Sequence, residues 1–305
     1  MSAADTLPVA AAPTAGEALA ATTAALRGDR SPTPRLDAEV LVAWAFERDR
    51  SWLLAHLDER LPASAAEALG DWTARRSRGE PIAYIRGFKE WYGLRLRTDP
   101  RALIPRPETE LLVDAAIEEL ADRLVRDDRP ILAWDLGTGS GAVSVALARR
   151  FRAALALGRL RLVASDVSPD AVELASENLR EHSVEGLVTL AVGDLLEPAP
   201  DSRPDVVVAN LPYVPTAEVD AGTGSLAWEP RLALDGGATG VDVLNRLLLA
   251  LPEHLAPDGV ALVEIGDGQA AAVSGILAAL PGRWTTEVRP DLAGRSRIVR
   301  VERQP

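Results

Sequence analysis

No cysteine occurs among the 305 residues. This excludes disulfides, thiolate catalysis and cysteine-ligated zinc or iron–sulfur centres, and it fits a reducing compartment. Histidine is nearly as scarce: His56, His182 and His254 stand far apart without metal-ligand spacing, so no metal site is expected. No apolar run reaches the roughly 20 residues that a membrane-spanning helix requires, because charges or prolines interrupt each one. The opening MSAADTLPVAAAPTAGEALAATTAAL is alanine-rich but lacks the basic start and apolar block of a secretory signal, and a cytoplasmic location is expected. A basic surplus is missing too. The net charge of -12 argues against holding nucleic acid by broad electrostatic attraction, and moves small-molecule or protein substrates ahead.

What is present describes a globular chain. With 47% hydrophobic and 26% charged residues it can bury a substantial core, in one large domain plus a smaller one. The large domain is organised around ILAWDLGTGSGAVSVALA, residues 131–148. Ile131, Leu132, Ala133, Trp134 and Leu136 read as a strand buried on both faces, and Ala142 to Ala148 as an apolar helix. Between them Gly137, Gly139 and Gly141 let the backbone turn sharply, approach a ligand and aim free N–H groups from the helix start at it. Such turns also occur without a ligand, so the neighbouring segments decide. One βαβ unit later a second apolar strand ends on Asp166, where dinucleotide folds place an acid for ribose hydroxyls. A helix from Pro169 to Arg180 follows, opened by Ser168 as cap.

Upstream, Gly16–Leu26, Arg35–Arg48 and Ser64–Arg78 carry apolar residues at helical spacing, giving a helical amino-terminal domain over 1–80 with a flexible start to about Pro13. Ile82, Tyr84, Leu94 and Leu96 alternate around Gly87 and Gly93 and predict a hairpin within a linker over 81–106. In Ile104-Pro105-Arg106-Pro107-Glu108-Thr109-Glu110 two prolines fix an extended backbone before a helix to about Arg126. Its arginine and two carboxylates suit a wall over a cofactor. From Ile131 onward strands and helices alternate, which predicts a mainly parallel sheet covered on both faces. Two further strand ends stand out: Gly193-Asp194-Leu195, and Asn210-Leu211-Pro212-Tyr213 directly after the buried valines of DVVVA. Both fall where open α/β sheets bind ligands.

These segments together resemble the protein glutamine methyltransferases that modify peptide-chain release factors, S-adenosylmethionine-dependent enzymes. The resemblance rests on GTGSG at 137–141, Asp166 in DVS, the Asn210–Tyr213 loop, IPRPETE, and the later EP, ALDGG and EIG segments. It spans nearly the whole chain, the helical amino-terminal domain included. It implies a Rossmann-like α/β fold with a seven-stranded methyltransferase sheet over 107–305, S-adenosyl-L-methionine as methyl donor, and a release factor as protein substrate of a monomeric enzyme. By position, Gly137, Thr138, Gly139, Ser140 and Gly141 would hold the methionine part of the donor, and Asp166 the ribose hydroxyls. Asp194 and Leu195 would flank adenine. Asn210 would border donor and substrate, and Asn210, Leu211, Pro212 and Tyr213 would bind the glutamine, with Asn210, Pro212 and Tyr213 as the catalytic set.

The chemistry accounts for these residue types. An amide nitrogen is a poor nucleophile, its lone pair being delocalised into the carbonyl, while a sulfonium methyl is already activated; the site must add orientation. The Asn210 side-chain oxygen and the Leu211 carbonyl can accept both amide hydrogens, while Tyr213 packs on the flat amide. Leu211 replaces the first proline of the family's Asn-Pro-Pro-Tyr. The carbonyl survives, and Pro212 still biases Leu211 to extended backbone. An Asn-Leu-Pro-Tyr loop also resembles RNA adenine dimethyltransferases. Open alternatives are therefore the same chemistry on a ribosomal protein, methylation of an adenine amine after base flipping, and a non-catalytic binding module on a methyltransferase fold. The acidic charge speaks against direct nucleic-acid binding.

Overall fold

A computed structural model describes residues 12–28, 30–197, 203–222 and 224–304. Residues 1–11 of the expected lead-in lie outside the described residues. The chain divides into two compact units between Arg86 and Gly87.

The first unit is helical: α1 Ala15–Ala25, α2 Pro34–Ala45, α3 Arg50–Ala55, α4 Ala63–Ser77 and α5 Ile82–Arg86. Thr14 and Glu17 form a capping box that starts α1, each satisfying the other's backbone N–H. The core joins aliphatic residues of all five helices, among them Leu19, Leu41, Leu53, Leu69 and Ile85, with a Trp44–Trp72 stack at 3.9 Å beside it. The strand predicted through Ile82 and Tyr84 is instead α5. Pro81 accepts from the Tyr84 and Ile85 N–H groups, and a two-residue alternation is too short to oppose that turn.

The second unit begins with the hairpin β1 Phe88–Trp91 and β2 Leu94–Arg97, paired antiparallel. Tyr92 and Gly93 connect them at φ 50° and 67°, the left-handed pair that a two-residue turn of primed type needs. Then follow α6 Thr109–Arg126, β3 Ile131–Leu136, α7 Ala142–Arg150, α8 Arg152–Ala156, β4 Leu160–Asp166, α9 Pro169–Glu181, β5 Val188–Val192, β6 Val206–Ala209 and α10 Thr216–Ala221. The chain ends with α11 Asp242–His254, β7 Val260–Glu264, α12 Ala270–Ala278, β8 Arg283–Pro290 and β9 Ser296–Gln304.

Seven of these strands form one sheet in the order β5-β4-β3-β6-β7-β9-β8. The first five are parallel; β9 inserts antiparallel between β7 and β8. Every residue of β3, β6 and β7 is buried, as continuous apolar strands between two helical layers must be. The period of two sorts them. Ile131 and Ala133 join the core under α6 and α7, while Trp134 and Leu136 join the one under α11 and α12. Chain direction across the sheet reverses between β3 and β6, which opens a crevice at their carboxyl ends.

Candidate active site

That crevice is a cavity of about 400 Å³, within the range of small-molecule sites. Gly137, Thr138, Gly139, Ser140, Asp166, Asp194, Leu195, Asn210, Leu211 and Pro212 all line it, so residues following β3, β4, β5 and β6 converge in one wall. Gly141 and Tyr213 do not line it.

The three glycines of the turn differ in purpose although all have positive φ, 65°, 55° and 77°. A Cβ on Gly137 would stand 3.1 Å from Leu211 Cδ2, so its absence lets the β6 loop close onto the turn. At Gly139 a Cβ would meet nothing nearer than 3.9 Å; the left-handed backbone alone calls for glycine, and the space belongs to the cavity. At Gly141 a Cβ would lie 3.0 Å from the Ala175 backbone, so this glycine sets close packing of α7 on α9.

Part of the donor set of the turn is used within the fold. Thr138 N–H donates to Ser165 O at 2.9 Å, Gly141 N–H to Thr138 O at 2.8 Å, and Gly139 N–H to Asp166 Oδ2 at 2.9 Å. These three donors serve the closure of the turn and the holding of Asp166. The other Asp166 oxygen accepts from Ser168 N–H at 2.9 Å, so the carboxylate is clamped at the end of β4. Burial pushes its pKa up, and those backbone N–H groups partly oppose this.

Several contributors carry no local sequence signal. Asp135, at the end of β3, lines the cavity and accepts from the Thr138 hydroxyl at 2.7 Å and the Ser144 hydroxyl at 2.6 Å. Burial raises its pKa to about 6, the two hydroxyls restrain the rise, and the Asp166 charge adds to it. Asn178, fully buried on α9, donates to Ser140 O at 2.8 Å and accepts from Arg97 N–H at 2.7 Å, tying the glycine turn to β2. Asp194 is ion-paired with Arg246 of α11, a second cavity residue.

The proline-fixed segment does form a wall, through Pro105, Arg106 and Thr109. Its two carboxylates do not take part: Glu108 and Glu110 are outside the wall, and Glu110 accepts from Tyr92 N–H at 3.0 Å. The acid that matters comes from afar. Glu229, whose side chain is wholly buried, accepts from Ile104 N–H at 3.0 Å and from Arg106 Nη2 at 2.5 Å.

Behind Asn210, its Nδ2 donates to Thr109 Oγ1 at 3.0 Å. The buried carboxylate of Glu264 stands close by at the end of β7. The Tyr213 hydroxyl donates to Glu264 Oε1 at 3.3 Å. Burial pushes Glu264 up to about 7 despite the Tyr213 hydroxyl, and burial with the Glu264 charge also raises the Tyr213 pKa.

Comparison with known proteins assigns this arrangement. Residues 17–87 match the PrmC N-terminal domain and residues 110–227 the methyltransferase small domain. The release factor glutamine methyltransferase of Moorella thermoacetica is 40% identical over 264 residues, covering 87% of this chain and 89% of that one. Those of Koribacter versatilis and Neisseria gonorrhoeae are 38% and 37% identical, covering 90% and 88% of this chain and 93% of each relative. The chain belongs to the release factor glutamine methyltransferase family. It is an S-adenosylmethionine-dependent methyltransferase. Among solved structures, the hMettl16 catalytic domain in complex with a MAT2A 3'UTR hairpin has a TM-score of 0.51, 13% identity, and coverage of 83% of this chain and 84% of that one. At that identity the likeness is one of fold alone. The donor implied by the family fits the cavity seen here. The space at Gly139 is one a Cβ would enter, and Asp166 is an acceptor-only group held rigid beside it. Among the described residues no helix is long and apolar enough to cross a membrane, and no cluster of ligating side chains could hold a metal ion.

Proposed function

We propose that this methyltransferase acts on the side-chain amide nitrogen of a glutamine in a peptide-chain release factor, within its GGQ segment, in the cytoplasm. The observation that carries the reading is the Asn210 carboxamide in the wall of the donor cavity, its nitrogen already engaged by Thr109. Its oxygen is left to accept from an N–H donor, which suits an amide substrate. The release factor glutamine methyltransferases that share nearly the whole chain point the same way.

S-adenosylmethionine, when bound, supplies an activated methyl group. The turn from Gly137 to Ser140 would hold its methionine part, Asp166 its ribose hydroxyls, and Asp194 with Leu195 the adenine. Toward the acceptor, Asn210 Oδ1 takes one amide hydrogen and the Leu211 carbonyl the other, which pins the nitrogen with its lone pair toward the donor side. Pro212 keeps Leu211 extended, and Tyr213 braces the loop through Glu264. A strong base is not needed, since a methylated, positively charged amide nitrogen sheds its proton readily.

The test is incubation of the protein with labelled donor and, separately, a release factor, a ribosomal protein and an RNA. Label in the release factor alone supports the reading. Label in RNA or in the ribosomal protein instead overturns it.

A further inference from the structure

S-adenosylmethionine carries an amino-acid carboxylate, and an anion drawn out of water into the cavity needs hydrogen-bond donors there. The glycine turn has few to spare, since the N–H groups of Thr138, Gly139 and Gly141 are engaged within the protein. Three arginines line the cavity, Arg101, Arg106 and Arg246. Arg101 is used up: Nε and Nη2 bond Asp99, and Nη1 and Nη2 bond Glu177. Arg246 pairs with Asp194 after β5, at the other end of the row β5-β4-β3-β6 from Asn210. Arg106 remains. Its Nη2 bonds Glu229 at 2.5 Å, and among the described residues its Nε and Nη1 bond nothing. Its side chain keeps 29% of its surface open, while that of Glu229 keeps none. The Arg106 backbone is fixed as well, its carbonyl accepting from Trp91 Nε1 at 2.7 Å and from Thr109 N–H at 3.1 Å. A buried ion pair adds little stability over apolar side chains of similar volume. A wholly buried acid that takes Ile104 N–H on Oε2 and one arginine nitrogen on Oε1 therefore serves better to aim the rest of the guanidinium than to hold the fold.

Its place along the sheet says what it is aimed at. Asp194 follows β5, Asp166 ends β4, the glycine turn follows β3 and Asn210 follows β6, in the order of the strands. A donor with adenine at Asp194 and ribose at Asp166, as proposed above, has its amino-acid end over the glycine turn. The segment 102–109 meets that end. Ala102 Cβ is 3.9 Å from where a Cβ of Gly139 would stand, and Thr109 Oγ1 is 3.0 Å from Asn210 Nδ2. Arg106 lies in the chain between these two contacts. We infer that Arg106, held by Glu229, binds the carboxylate of S-adenosylmethionine through the edge of its guanidinium that Glu229 leaves open. That edge presents two parallel N–H groups, a planar match to the two oxygens of a carboxylate that a single carbonyl does not offer. The inference rests on the donor orientation proposed above and is indifferent to which acceptor is methylated.

Donor binding in the absence of any acceptor tests this. S-adenosylmethionine and its decarboxylated form differ only in the carboxylate, so titration calorimetry of both against wild type and Arg106→Leu isolates that group. Arg106→Leu should bind S-adenosylmethionine about 10- to 100-fold more weakly, the weight of a hydrogen bond to a charged group, and bind the decarboxylated form as the wild type does. Unchanged affinity for the decarboxylated form shows at the same time that the cavity has kept its shape. Arg106→Lys keeps a charge beside Glu229 but not the planar fork. It should show a smaller loss, again confined to the carboxylated ligand, and it carries the test alone if Arg106→Leu does not fold. Equal losses for the two ligands, or no loss for either, overturn the inference; no loss together with a raised KM for the protein acceptor would assign the arginine to the acceptor instead. Because the titrations contain no release factor, a release factor left unmethylated by the wild type counts against the proposed substrate and not against this role of Arg106.

Discussion

At the scale of single residues, the site separates holding the donor from orienting the acceptor. Asp166 is clamped by two backbone N–H groups and can offer only lone pairs. Asp166→Ala should weaken donor binding by about 1–3 kcal/mol, the worth of a hydrogen bond to a charged group, as measured by titration calorimetry. Asn210→Ala should behave differently: donor affinity largely kept, kcat reduced, because what is lost is the oxygen that orients the amide. Unchanged turnover in that variant would reject its role. Gly141 is the structural member of the turn, and Gly141→Ala combines a φ of 77° with a Cβ 3.0 Å from the Ala175 backbone. It should cost about 1–3 kcal/mol of stability in denaturant unfolding, with α7 displaced from α9.

At the scale of elements, the cavity wall depends on segments distant in sequence. Glu229 ties the loop before α11 to Ile104 and Arg106, and no partner replaces it once removed. Glu229→Ala should cost about 2 kcal/mol, lowering the denaturant midpoint, because it strands a buried N–H and releases the arginine. A midpoint equal to the wild type would show that the strap carries no weight. These cross-chain ties also mark where the sequence stops being legible. Strand β3, the glycine turn and α7 were readable because apolar runs and glycines act locally, and Ser168 indeed caps α9 by accepting from Ala171 N–H. The reading of Ile82 and Tyr84 as strand failed because four residues of alternation do not distinguish a strand from one helical turn. Helix α3 went unread although Asp49 caps it, its apolar residues being too few to show a period. The Asn210–Thr109 and Tyr213–Glu264 contacts could not be read at all, since their partners meet only after folding. The same holds for the N–H groups of Thr138, Gly139 and Gly141, which look free in sequence and are taken up in the fold.

At the scale of the whole molecule, the second unit buries two acids at the carboxyl edge of its sheet, and this shapes its response to pH. Burial raises Glu264 from 4.5 to about 7. A carboxyl whose folded pKa is raised contributes fully below its unfolded value, and that contribution disappears as pH rises through the folded one. Relative to Glu264→Gln, the wild type should therefore lose stability between about pH 4.5 and 7, by on the order of 3 kcal/mol at about 1.4 kcal/mol per pH unit. Chemical unfolding of both proteins across that window checks the sign; a wild type that gains on the variant as pH rises would contradict it. The same feature gives the fold its function: a parallel sheet that reverses direction at β3 and β6 brings the glycine turn and the β6 loop to one cavity. The central claim is that a carboxamide is methylated there. Fragmentation mass spectrometry of a release factor, after incubation with the protein and S-adenosylmethionine, tests it most directly. The account predicts a single added methyl on the side-chain nitrogen of one glutamine; a methyl on any other residue, or none on this nitrogen, would contradict it.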